Sequence, residues 1–210
     1  DGSGPQRPVV LIAGSFQTAG TVAGSSLVGY DPPSRTWRLV TDPIVGTVAA
    51  VCPLPDGRLA AAGNFTGPGL PATVYFAIWD GNRWNDDSTN IGSFAYSIAV
   101  LPSGEFVVGA NNGILRRTAA GWVRMQSSSE LSGVARILKT DSQGRLFAGG
   151  SLLVAGSYGV GMWDGTDWTN VYSTDRSDIG IIEELPDHCM LFARRIPWFQ
   201  ATEPGIAKWC

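Results

Sequence analysis

The sequence predicts an all-β chain built as a β-propeller of four-stranded antiparallel blades, about five of them, with incomplete first and last blades. Three observations lead there. A hairpin turn rich in Pro, Asp and Gly returns four times. Two series of aromatic residues return beside polar turns. The apolar runs between these landmarks are short and show no 3.6-residue periodicity.

The hairpin series reads Leu54-Pro55-Asp56-Gly57-Arg58-Leu59, Leu101-Pro102-Ser103-Gly104-Glu105-Phe106, Thr140-Asp141-Ser142-Gln143-Gly144-Arg145-Leu146 and Leu185-Pro186-Asp187-His188-Cys189-Met190. Gly57, Gly104 and Gly144 supply the positive φ that such turns require, and His188 stands where a fourth glycine is expected. Gly14-Ser15-Phe16, Gly63-Asn64-Phe65-Thr66 and Gly150-Ser151-Leu152 close the strand after each hairpin. The first aromatic series is Tyr30, Trp79, Trp163 and Trp209. The second is Trp37, Trp84, Trp122 and Trp168, each just past a polar turn.

Matching positions recur at roughly 40 to 55 residues, a spacing shared by propeller arrays and helical solenoids. The runs Val48–Val51, Leu59–Ala62, Val74–Ile78, Ile98–Leu101, Phe106–Val108 and Leu146–Ala148 decide for strands, because all are short and bounded by turns. In each blade an innermost strand a leads through the hairpin to b, a variable loop leads to c, and the polar turn leads to d. Complete blades are expected over 46–89, 95–126 and 133–172. A part-blade over 1–40 lacks strand a, and one over 179–210 lacks strand d. The missing strands are expected from a longer parent protein or a partner, unless the two part-blades adjoin in a five-membered ring. An open ring would leave raw sheet edges, which favour self-assembly. The two aromatic series are expected to pack between neighbouring blades.

Composition narrows the function. Hydrophobic residues make up 44% of the 210, enough for a buried core, and the abundance of Gly (27) and Pro (13) favours tight turns over long helices. With a net charge of −3 and no basic block, nothing resembles a nucleic-acid footprint. Arg116-Arg117 and Arg194-Arg195 read as solvent-facing strand residues. No run of 18 apolar residues suggests a membrane span. The chain opens on Asp1 with no signal-peptide pattern and reads as a processed or excised piece.

The pattern Gly-x-Phe-x-x-Ala-Gly (Gly14, Phe16, Ala19, Gly20), then Trp-Asp-Gly-x-x-Trp (Trp79 to Trp84, Trp163 to Trp168) and Leu-Pro-Asp-Gly (Leu54 to Gly57), resembles the kelch-like propeller repeats of secreted and cell-surface proteins. The resemblance covers nearly the whole chain and implies an extracellular setting with an adhesion or scaffold role. The third blade departs from it, with Asn111-Asn112-Gly113 as its b–c link and no Trp on strand c. That blade is similar to those of tachylectin-type five-bladed lectins. A copper-radical oxidase of the kelch type would need paired Tyr and His ligands, and the chain has one His.

Chemistry-bearing residues are few. His188 alone cannot build a catalytic triad or a His-rich metal site, and reads as a turn residue. Glu183 and Glu184 are adjacent on a strand and point to opposite faces. Asp86-Asp87 forms another carboxylate pair. Asp175 and Asp178 flank Arg176 in a stretch that reads as a solvated loop rather than a calcium site. Cys189 opens strand b and Cys210 ends strand c of the last blade. Antiparallel neighbours bring these positions within disulfide reach, which fits an oxidising compartment. Cys52, on an inner strand, reads as a buried free thiol. Asn64-Phe65-Thr66 is an N-glycosylation sequon. The ligand surface is expected on the face of the b–c and d–a loops, with Trp198 and Phe199 as leading binding residues and Tyr158 behind them. The function expected is non-enzymatic extracellular recognition, adhesion or assembly through a protein partner. A lectin binding a glycan is the alternative, and an enzyme comes last. No catalytic residue, metal or cofactor is expected.

Overall fold

The computed structural model describes residues 9–125, 131–175, 178–195 and 205–210. The chain is an all-β protein of the β-propeller class, built from five small antiparallel blade sheets and a two-stranded ribbon, with no helix among the described residues. It divides into two compact units, residues 1–88 and 89–210.

The first unit holds β1 (Val10–Ala13), β2 (Thr18–Ala19), β3 (Val22–Ala23), β4 (Leu27–Asp31), β5 (Thr36–Arg38), β6 (Val45–Pro53), β7 (Leu59–Thr66), β8 (Val74–Trp79) and β9 (Trp84–Asp86). They form a three-stranded sheet β1-β4-β5, a two-stranded ribbon β2-β3 and a four-stranded sheet β6-β7-β8-β9. The second unit holds β10 (Ala95–Val100), β11 (Phe106–Ala110), β12 (Gly113–Thr118), β13 (Gly121–Arg124), β14 (Leu131–Thr140), β15 (Leu146–Val154), β16 (Ser157–Trp163), β17 (Trp168–Ser173), β18 (Asp178–Glu184), β19 (Met190–Arg195) and β20 (Ile206–Trp209). Its sheets are β10-β11-β12-β13, β14-β15-β16-β17 and β18-β19-β20.

Local chemistry explains why the blades repeat. In all four a–b hairpins the same two backbone bonds close the turn, as in Leu54 N–H to Arg58 O (2.9 Å) and Gly57 N–H to Leu54 O (3.0 Å). The residue at the left-handed position is Gly57, Gly104 or Gly144 in three of them and His188, at φ 61°, in the fourth. Two of the c–d turns use an aspartate instead, and the β12–β13 turn uses the Thr118 hydroxyl. Asp80 Oδ1 accepts from the N–H groups of Asn82 (2.9 Å) and Arg83 (3.0 Å), and Asp164 Oδ1 accepts from Thr166 and Asp167 (both 2.8 Å). Each such bond gives the backbone a turn that needs no ladder partner. Every a–b pair also carries one register shift, between Val48 and Ala50, Ala95 and Ser97, Ala135 and Ile137, and Ile179 and Ile181. A bulge at this point re-aims one side chain per blade.

Burial follows the pleat. Along β15, Leu146, Ala148, Leu152 and Val154 join a cluster with Ala99, Val107, Ile114 and Met125 of the preceding sheet. Phe147 joins Ile179, Ile182, Met190 and Phe192 of the next one. Alternate residues therefore face two different interfaces, so the strand is apolar throughout. The aromatic series behave as expected. Trp79 and Trp84 pack with Leu27 and Ile44, Trp168 packs with Ile114 and Met125, and Trp209 packs edge-on against Phe147 at 5.6 Å.

Cys189 and Cys210 form a disulfide with their Cα atoms 4.4 Å apart. They lie one step beyond the paired residues Met190 and Trp209, where an antiparallel ladder brings side chains close. Cys52 is a free thiol but only half-buried, a correction to its reading as buried. Its burial still pushes the thiol above its ordinary pKa.

Of the two arginine pairs, Arg195 is exposed as expected, and the other three residues need correction. Arg194 is buried, with its guanidinium 3.3 Å from Asp175, and Arg116 and Arg117 are half-buried. Adjacent strand residues point to opposite faces, so Arg194 turns inward at the end of β19 while Arg195 faces solvent.

Candidate functional site

In the first unit the loop joining β1 to β4, residues 14–26, is far longer than its counterparts at 67–73, 111–112 and 155–156. It folds back as the β2-β3 ribbon rather than crossing directly. Gly20 at the ribbon's tip has φ +58°, and a Cβ there would lie 2.1 Å from the Trp37 ring, so the indole and the ribbon are in direct contact. The base of the loop is tied to β6. Ser26 N–H donates to Ile44 O (2.7 Å), and Val48 N–H donates to Gly14 O (3.0 Å). The buried Ser26 hydroxyl lies 3.0 Å from both Phe16 O and Gly46 O and shares its single proton between them.

Between this loop and the start of β6 lies a groove of about 710 Å³, lined by residues that include Phe16, Gln17, Thr18, Ser26, Gly46 and Thr47. None of the lining residues is charged. They offer hydroxyls, one carboxamide, backbone groups and one aromatic ring. This lining suits a neutral, hydrogen-bonding ligand.

Asn64 is exposed on β7 and is the Cα partner of Thr47, so a sugar attached there would stand beside the groove. Tyr158 sits at the start of β16 opposite Leu153, half-buried, and its carbonyl accepts from Thr174 N–H at 2.7 Å. It does not line the groove. Trp198 and Phe199 lie outside the described residues.

His188 faces a small polar cluster. Its Nδ1 lies 3.1 Å from both Ser142 Oγ and Glu184 Oε1. Serine and carboxylate meet the same ring nitrogen, which is not the relay of a nucleophilic triad. The Ser142 hydroxyl, then His188, hold the Glu184 carboxyl below its usual pKa. Arg136 lies 3.1 Å from Asp178 and stacks 4.8 Å over the Tyr96 ring. Among the described residues no cluster of three His, Cys, Asp or Glu could hold a metal ion, and no helix is long and apolar enough to cross a membrane.

In the sequence Phe16 reads as a strand-closing residue, and nothing in its immediate neighbourhood marks the groove. The length of the loop after Phe16 was the available signal.

Neither a family model nor a curated protein sequence matches this chain. Its likeness is to solved structures. The extracellular domain assigned to the one component system BT4673 from B. thetaiotaomicron matches with a TM-score of 0.61 at 13% identity, over 99% of this chain and 28% of that one. A protein assigned as a gluconolactonase matches with a TM-score of 0.53 at 17% identity, over 80% of this chain and 63% of that one. Virginiamycin B lyase from Staphylococcus aureus matches with a TM-score of 0.52 at 14% identity, over 96% and 73%. The chain thus spans well under a third of the first of these proteins. At such identities the shared property is the fold.

Proposed function

We propose that this propeller is a non-enzymatic extracellular recognition module whose b–c loop groove in the first unit binds a neutral ligand on a protein or glycan partner. The uncharged lining of that groove carries the reading. It places no general acid or base beside a bound molecule, whereas acid–base catalysis needs one within hydrogen-bond reach. The disulfide fits an oxidising compartment, and one structural neighbour is an extracellular domain. The gluconolactonase and lyase activities named for two other neighbours belong to those proteins.

A glycan is the second reading, favoured by the hydroxyl and carboxamide lining with a single aromatic ring. Assembly through sheet edges belongs to the same proposal. Among the described residues β1 and β20 each pair on one side only, and Val10 and Ile206 on them are 51% and 63% exposed.

The test is binding of the intact chain to neutral glycan and peptide arrays, with Phe16→Ala and Gln17→Ala as variants. Each is expected to weaken binding by about tenfold, the worth of one good contact, with the melting profile retained. Turnover of a lactone substrate by the wild-type chain, lost in the same variants, would replace this reading with an enzymatic one.

A further inference from the structure

A second groove lies in the other unit, between the sheets β10–β13 and β14–β17, and it differs in chemistry. A cavity of about 430 Å³ is lined by residues that include Ser103, Glu105, Arg116, Gln143, Trp163 and Asp164. A smaller one of about 150 Å³ is lined by Arg116, Val123, Arg124, Met125 and Trp163. Arg116 and Trp163 belong to both.

Arg116 is the unusual residue. It stands one position before Arg117, the cross-strand partner of Trp122, just as Met162 stands one before Trp163, the partner of Trp168. Ile78 holds the same place before Trp79, the partner of Trp84. Two blades thus put an apolar side chain where this one puts a guanidinium, and the last blade puts Lys208 before Trp209, paired with Asp187 at 2.5 Å.

The other charges of the groove are already engaged. Glu105 accepts from Ser103 Oγ (2.9 Å), and Asp164 accepts from its own turn. Arg145 is paired with Asp141 at 2.6 Å, and Arg124 donates to Asn112 O. Half-buried Arg116 has no side-chain partner among the described residues. A half-buried guanidinium with open donors matches a planar carboxylate.

We propose that this groove binds a carboxylate-bearing sugar, a hexuronate unit of an acidic glycan. Arg116 takes the carboxylate. Trp163 offers an electron-rich aromatic surface to the C–H face of the pyranose. Ser103, Glu105 and Gln143 accept and donate to ring hydroxyls. The Trp163 ring beside the Ser103 hydroxyl and the Gln143 carboxamide matches a pyranose with its ring hydroxyls, which sets the sugar above an acidic peptide as occupant.

The experiment is calorimetric titration of the intact chain with oligogalacturonate, oligoglucuronate and oligomannuronate, with the methyl ester of each, and with a pentaglutamate peptide. At least one oligouronate is expected to bind at least tenfold more tightly than its ester, and Arg116→Met is expected to abolish that difference. Met162, at the corresponding position of the next blade, is the reason for choosing methionine, and an unchanged melting curve verifies folding. Gln17→Ala is expected to leave uronate binding intact, which separates this site from the groove of the first unit. Equal affinity for acid and ester, binding unaffected by Arg116→Met, binding of the peptide alone, or binding of none of the oligouronates would each overturn the proposal.

Discussion

Trp163 and Trp168 are Cα partners across one c–d turn, with ring centroids 5.5 Å apart, and Trp79 and Trp84 repeat the arrangement at 5.7 Å. Tyr30 and Trp37 do so at 4.8 Å. The turn between each tryptophan pair is held by one aspartate, so Trp-Asp-Gly-x-x-Trp is a single device. The Asp shapes the turn, and the turn sets two aromatics side by side to face the neighbouring blade. Trp168 is 1% exposed and packs against Ile114, Met125 and Leu146. Trp168→Ala is therefore expected to cost about 3–5 kcal/mol, read as a lower urea midpoint at unchanged slope.

The disulfide closes a loop of 21 residues at the end of the last sheet. Constraining a loop of that size in the unfolded chain stabilises by about 3 kcal/mol. Cys189→Ser with Cys210→Ser, or reduction of the wild type, is expected to remove that amount. Thiol titration of the denatured, unreduced chain should find Cys52 alone, and three reactive thiols would contradict the bond.

The fold was legible because its signals are local. Hairpin glycines, turn aspartates and paired aromatics act within a few residues, so their spacing survives in the sequence. The pairing of Cys189 with Cys210 was legible for the same reason, since both lie on adjacent strands. The groove around Phe16 and Gln17 was not, because it depends on how a long loop folds back onto β6, and the Ser26 bonds that hold it reach as far as Gly46. The burial of Arg194 was hidden similarly. It needs Asp175 from the link between β17 and β18, and no periodicity encodes that meeting.

His188 occupies the left-handed turn position at φ 61°, where the sister hairpins have Gly57, Gly104 and Gly144 at 85°, 85° and 82°. A side chain there carries a steric penalty of about 1–2 kcal/mol, offset in part by exposed contacts to Glu184 and Ser142. His188→Gly also frees the unfolded chain, which returns some of the gain. The net expectation is a stabilisation of about 0.5 kcal/mol, seen as a raised thermal midpoint. A lowered midpoint would show that the His188–Glu184 contact outweighs the strain.

Acid is expected to loosen the turns first. Backbone N–H groups of Asn82 hold Asp80 below its ordinary pKa of 3.8, and those of Asp167 and Thr166 hold Asp164 below it. Arg58 does the same for Asp56 and Lys208 for Asp187, while the Ser142 hydroxyl lowers Glu184 from 4.5. A carboxyl with a depressed pKa in the folded state binds fewer protons there than in the unfolded chain. Its stabilisation is complete above the unfolded value and is lost as pH falls through the folded one. The urea midpoint should therefore hold steady from pH 7 to about 5 and fall below about 4. Asp80→Asn with Asp164→Asn should flatten that fall, because an amide cannot take up the proton. A midpoint constant down to pH 3, or an acid limb unaltered in the double variant, would show that these turn carboxylates do not carry the acid sensitivity.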